Sequence, residues 1–489
     1  MSRERSYEVT ALLFVAAVFL AEIYPIIFTV HDDILTYTLV RHGDLWKNAV
    51  DNMETGRLPQ LWNTILLGLP MLPQKAWFYK VVSYIVLLAD TWIFYCLAKK
   101  IFNHYAAALG VALFWGLASI TNQHNLFVSY ILARQIVIGI LMLSIYWFIQ
   151  YYEKLHARYL WGSSFLYLAA GMLYEAAVPF GLVFFLIALR EEASWKRKVV
   201  SVALPGMLAV LWLVVYFGWQ AKYPTAYDGG SLYFGDVLRS LWSAIMYSFG
   251  SFPLYSLVIG IVKGHVSLKE CAFPVAGFAA SVVTATMWYW ILPKIHWEKG
   301  KRYSLAIIGI CIFLPNLILG FTPKYMEWNR RMVYTYLTTF YSYFFLLLFL
   351  VVASGAIYQK CRKKKLFLGI TTAIIFLLSL TSAINNRLWK MEFDFLEDKY
   401  KAFDQALQSP LLLQYETGTY VYIPDYIGIN GSMEYTQYYS KLYTDNTYEF
   451  RKDPNSLDFN HPVVEFRYIP DEKRIEIREL KEPEEIQDH

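Results

Sequence analysis

The sequence predicts a polytopic α-helical membrane protein of about eleven spans, followed by a small soluble α+β domain. Three observations carry that reading. The 489 residues are 57% hydrophobic and only 17% charged, whereas soluble domains average about 45–50% apolar and about 25% charged. The apolar residues come in runs of about 20, the length that crosses hydrocarbon. From residue 385 the composition shifts sharply to a polar, alternating pattern. The chain therefore divides into 1–384, a transmembrane module, and 385–489, a soluble domain.

The elements follow in order. Span 1 covers 9–30 and holds Glu22 and Pro25. A basic start, Arg3 and Arg5, precedes it without a small-x-small cleavage site, so it reads as a permanent span with its N-terminus inside. A polar stretch, 31–74, follows; 43–54 reads as a helix lying on the membrane surface. Spans 2, 3 and 4 cover 77–98, 105–120 and 131–151. The apolar stretch 159–189 is too long for one span at about 1.5 Å per residue. It reads as two short spans in a tight hairpin with Glu175 near the turn. Span 7 covers 200–219. Residues 232–269 read as external or re-entrant, and spans 8 to 11 cover 271–292, 304–321, about 333–357 and 367–384.

Basic residues set the orientation. The N-terminus, Lys99-Lys100, Lys154/Arg158, Lys196-Arg197-Lys198, Lys294–Arg302 and the cluster at 360–365 alternate with loops poor in Lys and Arg. That predicts a multi-pass cell-membrane protein with a cytoplasmic N-terminus and an extracytoplasmic C-terminal domain. In that domain 419–423, 463–468 and 474–478 alternate as half-buried strands do, and 393–407 fits a helix. The net charge of +5 is small and its cations lie between spans, so nucleic acid is not a partner. The four cysteines form no CxxC pair and read as buried or lipid-facing thiols. P-loop, GxGxxG, HExxH and GxSxG motifs are absent, which weighs against ATP-driven pumps, Rossmann-type nucleotide-sugar enzymes and zinc proteases.

One outer face collects the chemistry-bearing residues. His31-Asp32-Asp33 follows span 1. Such a carboxylate can take a proton from an acceptor hydroxyl, or the pair can hold a divalent metal such as Mg or Mn; the bland alternative is a solvated helix end. Glu175 is costly between two apolar spans unless it faces a wet cavity. Lys324, Arg330 and Arg331, with Tyr325, occupy an outer loop where the charge rule disfavours cations. They can hold a departing phosphate or snorkel at the interface. Arg134 stands near the outer start of span 4, where it can bind the substrate phosphate or simply reach the interface, and Lys75 and Lys80 flank the outer end of span 2. Asp90 reads as a member of a structural ion pair, and His31, His42 and His124 match no metal-binding spacing.

This order of parts, with the acidic pair in the first outer loop, juxtamembrane helices, a ladder of spans and late cationic outer loops, resembles the GT-C superfamily of membrane glycosyltransferases. It looks like bacterial members that take a sugar from a polyprenyl-phosphate carrier. The resemblance covers 1 to about 384 and implies that Asp32 or Asp33 is the catalytic base, with a divalent cation between them as an option. It implies that Glu175 lines the active cavity and that Lys75 and Lys80 add phosphate contacts. The partners so implied are the lipid bilayer, a polyprenyl-phosphate-linked sugar donor, and a cell-surface glycan, lipid or protein acceptor. The rival readings are a polysaccharide polymerase, a lipid-linked-glycan transporter or flippase, and a scaffold whose tail does the work.

Overall fold

A computed structural model of the chain describes residues 3–24, 31–120, 127–224, 229, 231–264, 267–270, 273–333, 338–424, 436, 440 and 446–482. The chain forms two compact units. One comprises Met1–Phe28 with Trp46–Trp389; the other comprises Thr29–Leu45 with Lys390–His489. The boundary expected at 384/385 lies inside a helix, and residues 29–45 group with the C-terminal residues.

The first unit is a helical bundle. Helix α1 (Arg3–Ile23) is its first member; α2 (His31–His42) belongs to the other unit. Two short helices follow, α3 (Leu45–Glu54) and α4 (Gln60–Gly68), where the surface-lying segment was expected. Then come α5 (Ala76–Ile101), α6 (His104–Gly116), α7 (Ile136–Lys154), α8 (Ala157–Leu173), α9 (Gly181–Arg190) and α10 (Trp195–Lys222). Helices α11 (Val237–Ser248) and α12 (Pro253–Val262) meet at a 104° bend. Helices α13 (Val275–Ile291), α14 (Arg302–Cys311), α15 (Leu314–Gly320), α16 (Pro323–Arg330), α17 (Thr339–Lys360) and the long α18 (Lys364–Leu407) complete the run.

Among the described residues, eight helices or helix pairs are long and apolar enough to cross a membrane, or up to nine if the bent pair is one span. The other three of the eleven expected spans are α6, α8 and α9, of 13, 17 and 10 residues. Helix α6 is short because its chain unwinds after Gly116, and side chains from distant helices take over its carbonyls. Leu117 O accepts from the Tyr343 hydroxyl at 2.7 Å, and Ala118 O from Ser382 at 2.5 Å and Asn386 at 2.9 Å. Ile120 O accepts from Asn385 at 2.8 Å and Ser256 at 3.1 Å. Unwound backbone is tolerated at membrane depth only with such partners. Asn385 and Asn386 thus serve the bundle.

Charged residues gather at the end of the bundle where α1 begins. Lys99 pairs with Glu8 at 3.1 Å, Lys100 with Glu153, Lys294 donates to the Tyr7 hydroxyl, and Lys301 to Ile101 O at 2.7 Å. These are the segments that the charge rule assigned to one side.

The second unit holds a four-stranded sheet. Its strands are β1 (Tyr420–Tyr422), β2 (Glu449–Arg451), β3 (Val463–Ile469) and β4 (Arg474–Leu480), in the order β2-β1-β3-β4. Strand β1 is parallel to β2 and β3, and β3 is antiparallel to β4, with Phe466 opposite Ile477. The alternation Val464, Phe466, Tyr468 turns one face inward, onto Phe403, Ala406 and Leu407 of α18 and Leu412 of the one-turn α19 (Pro410–Leu413).

Candidate functional site

The bundle end opposite the charged one carries a linked set of polar side chains, all within the first unit. Its centre is Arg134. The chain reaches it through Tyr130, whose φ of 54° places it in the left-handed region, and a π-helical turn, Ile131–Gln135. Such turns re-aim side chains and recur at functional sites. Arg134 is 6% exposed. Its Nη1 donates to Asn63 Oδ1 of α4 at 2.5 Å, and its guanidinium lies 4.1 Å from the centre of the Tyr174 ring. Its carbonyl accepts from the Tyr341 hydroxyl of α17 at 2.6 Å. Asn63 in turn donates to Leu173 O at 2.7 Å and Pro59 O at 3.1 Å. One buried cation therefore fastens α4, the end of α8, α17 and its own turn together.

Next to Tyr174 stands Glu175, the first residue of a 3-10 turn, Glu175–Phe180, that closes the α8–α9 hairpin. It is half-buried and interacts with the Tyr216 hydroxyl of α10, which also feels the charge of Arg57. Trp219, one turn further along α10, donates to Met53 O of α3 at 2.8 Å. The carboxylate thus sits where the first loop, the hairpin and the end of α10 meet. The hairpin expected around Glu175 is present.

The 3-10 turn packs on α15, which leads through Thr322 into α16. Tyr325 of α16 is buried against Tyr247, whose hydroxyl donates to Tyr325 O and Val333 O, each at 3.0 Å. Asn316 of α15 is fully buried and bonds Ser342 at 2.6 Å, Thr338 at 2.7 Å and Ser248 at 3.3 Å, fixing α15 to α17 and α11. On this base Lys324 lies 5.0 Å from the Trp328 ring centre. Arg330 and Arg331 are exposed, and both donate to one oxygen, Glu327 Oε1, at 2.7 and 2.9 Å. Arg330 first, then Arg331, hold the Glu327 carboxyl below the usual carboxylate range. The turn of α16 is a small cationic surface with one internal acid.

The remaining expected residues are placed differently. Lys75 is exposed at the start of α5, and Lys80 donates to Tyr24 O at 2.5 Å. Asp33 is fully buried in α2, in the other compact unit; the side chains of His31 and Asp32, and residue His124, lie outside the described residues. Among the described residues no three of His, Cys, Asp and Glu converge as metal ligands. The described donors do not assemble a metal site, and no chemical step is assigned to one. Asp90, expected in an ion pair, has none among the described residues: it is buried against Gly139 of α7, with Oδ2 lacking a hydrogen-bond partner.

No protein-family model matches the chain, and no curated protein matches it. Solved structures do. The chain is similar to the oligosaccharyltransferase of Archaeoglobus fulgidus in complex with Zn and sulfate, with TM-score 0.46 and 12% identity over 90% of this chain and 62% of that one. The apo form of that protein gives TM-score 0.44 and 11% identity over 94% of this chain and 65% of that one. The chain thus spans less than two thirds of the length of the chains it matches.

Asn63, Arg57, Tyr216, Tyr341 and Glu327 were not singled out by the sequence. Asn63 and Arg134 are 71 residues apart, and no local pattern marks such a pair. Glu327 did carry a signal: it precedes Arg330 and Arg331 at helix spacings, i+3 and i+4, that bring opposite charges together.

Proposed function

We propose that the protein is an inverting membrane glycosyltransferase of GT-C type that moves a sugar from a polyprenyl-phosphate carrier to an acceptor hydroxyl outside the cell membrane. The observation that supports this most is the convergence of a half-buried carboxylate, Glu175, with Arg57 and Tyr216, in a turn that packs on α15, the helix that leads into the cationic α16. Intramembrane polar groups are expensive, and where they persist they mark a working site.

In this reading Asp32 or Asp33 accepts the proton of the acceptor hydroxyl. The acceptor oxygen attacks the anomeric carbon as the bond to the phosphate oxygen breaks. The electron pair leaves on the polyprenyl phosphate, whose charge Lys324, Arg330 and Arg331 stabilise, with Lys75 and Lys80 as further contacts. Glu175 orients the sugar by accepting hydrogen bonds from its hydroxyls. Arg134 is a positioning residue: buried and bonded, it fixes the loop and the hairpin. Tyr325 positions α16 in the same manner. The N-terminus is cytoplasmic, following the cationic end of the bundle, and the C-terminal unit, which includes 390–489, is extracytoplasmic and meets a glycan, lipid or protein acceptor.

The test is transfer by the purified protein from a polyprenyl-phosphate-linked radiolabelled sugar. The account expects addition of a single sugar, and a donor KM raised several-fold by Arg330→Ala with Arg331→Ala. Progressive chain extension would instead establish the polymerase reading.

A further inference from the structure

We propose that α2, the helix carrying Asp32 and Asp33, folds as part of the C-terminal unit, so that this unit positions the acid pair. The expectation from sequence was the reverse: an acidic loop appended to the first span, and a tail that merely binds an acceptor.

Four observations converge. Residues 29–45 group with 390–489 and not with the bundle that precedes and follows them in the chain. Helix α2 has a buried face: Asp33 at 0%, Thr36 at 4%, Leu39 at 6% and Val40 at 8% exposure. Asp33, Thr36 and Val40 recur at the i, i+3, i+7 spacing of one helix side, with Leu39 beside them, so α2 packs against a partner along its length. The helix is also a self-contained element. Gly43, at φ +79°, ends it in the left-handed conformation, its N–H bonding Val40 O at 3.2 Å while the Asp44 N–H bonds Leu39 O at 2.9 Å. That stop separates α2 from α3 and lets the two fold with different neighbours. Finally, Asp33 is a carboxylate at zero exposure. A buried carboxyl group is tolerated only where polar partners are held in place around it, which ties it to the integrity of the unit around it.

Elements of one cooperative unit lose hydrogen-exchange protection together. The test is exchange measured by mass spectrometry on the full-length protein in lipid nanodiscs. Phe403, fully buried between Phe450 and Phe466, is the natural perturbation. In Phe403→Ala, protection of β1, β3 and β4 should fall by on the order of a hundredfold, that of α2 should fall by the same factor, and that of α5 and α7 should not change. Ile477→Ala, at a partly buried site of the same core, is the milder version, with about a tenfold loss shared by sheet and helix. Wild-type protection of α2 while the sheet loses its own would overturn the proposal. The placement of α2 stands apart from the reaction proposed above; only its consequence for transfer rests on that reading. Shared exchange together with full activity of acid-pair variants would remove the reaction and leave the placement intact.

Discussion

The Arg134–Asn63 bond offers a quantitative prediction. It joins two segments 71 residues apart at 2.5 Å, with the arginine 6% exposed. A hydrogen bond to a charged group contributes about 1.5–3 kcal/mol in soluble proteins, and interhelical bonds in membranes average about 0.6 with a ceiling near 1.7. A coupling of about 1–2 kcal/mol is therefore expected. Arg134→Met also loses the stacking on Tyr174, about 2 kcal/mol when desolvated, so alone it should cost about 3 kcal/mol. Asn63→Ala loses the Arg134 bond and the bond to Leu173 O. The assay is a double-mutant cycle in reversible unfolding of the detergent-solubilised protein. The double variant should be less destabilised than the sum of the singles by the coupling term. Additivity within about 0.3–0.5 kcal/mol, the range for independent sites, would refute the fastening role of this pair.

Two other predictions concern packing and charge. A Cβ at Gly139 would lie 2.0 Å from Asp90 Oδ1, so Gly139→Ala should lower stability by about 1–3 kcal/mol, and Asp90→Ala in the same chain should recover most of that loss in thermal unfolding. On α16, Glu327 competes with any anion for Arg330 and Arg331; Glu327→Gln should therefore tighten retention of a polyprenyl phosphate several-fold in a binding assay. Because the arginines depress the Glu327 carboxyl, its pairing is complete above its unfolded value near 4.3 and is lost as pH falls through its lower folded one. Wild-type donor binding should thus show no titration from this group between about pH 5 and 8.

The sequence carried the coarse architecture because its signals are local. Apolar runs of span length and the basic residues between them mark the bundle and its charged end, and period-two alternation marks β1, β3 and β4. The hairpin at Glu175 follows from length: 159–189 is too long for one helix, and a lone glutamate marks the break. What was not legible depends on distant partners. Residues 105–120 read as one span, because hydropathy does not register that the carbonyls after Gly116 are taken by Asn385, Asn386 and Tyr343. The same asparagines, being polar, marked a domain boundary that in the structure lies within α18. Asp32 and Asp33 follow the first span in the chain, and nothing in their neighbourhood says that their helix groups with residues 390–489.

The central claim is that the acid pair removes the acceptor proton during sugar transfer. Purified Asp32→Asn and Asp33→Asn variants, with unfolding temperatures close to wild type, should be assayed for transfer from a polyprenyl-phosphate-linked sugar. The account predicts that one of them loses at least about a hundredfold in turnover, the scale of a lost general base. Wild-type turnover in both variants would contradict it.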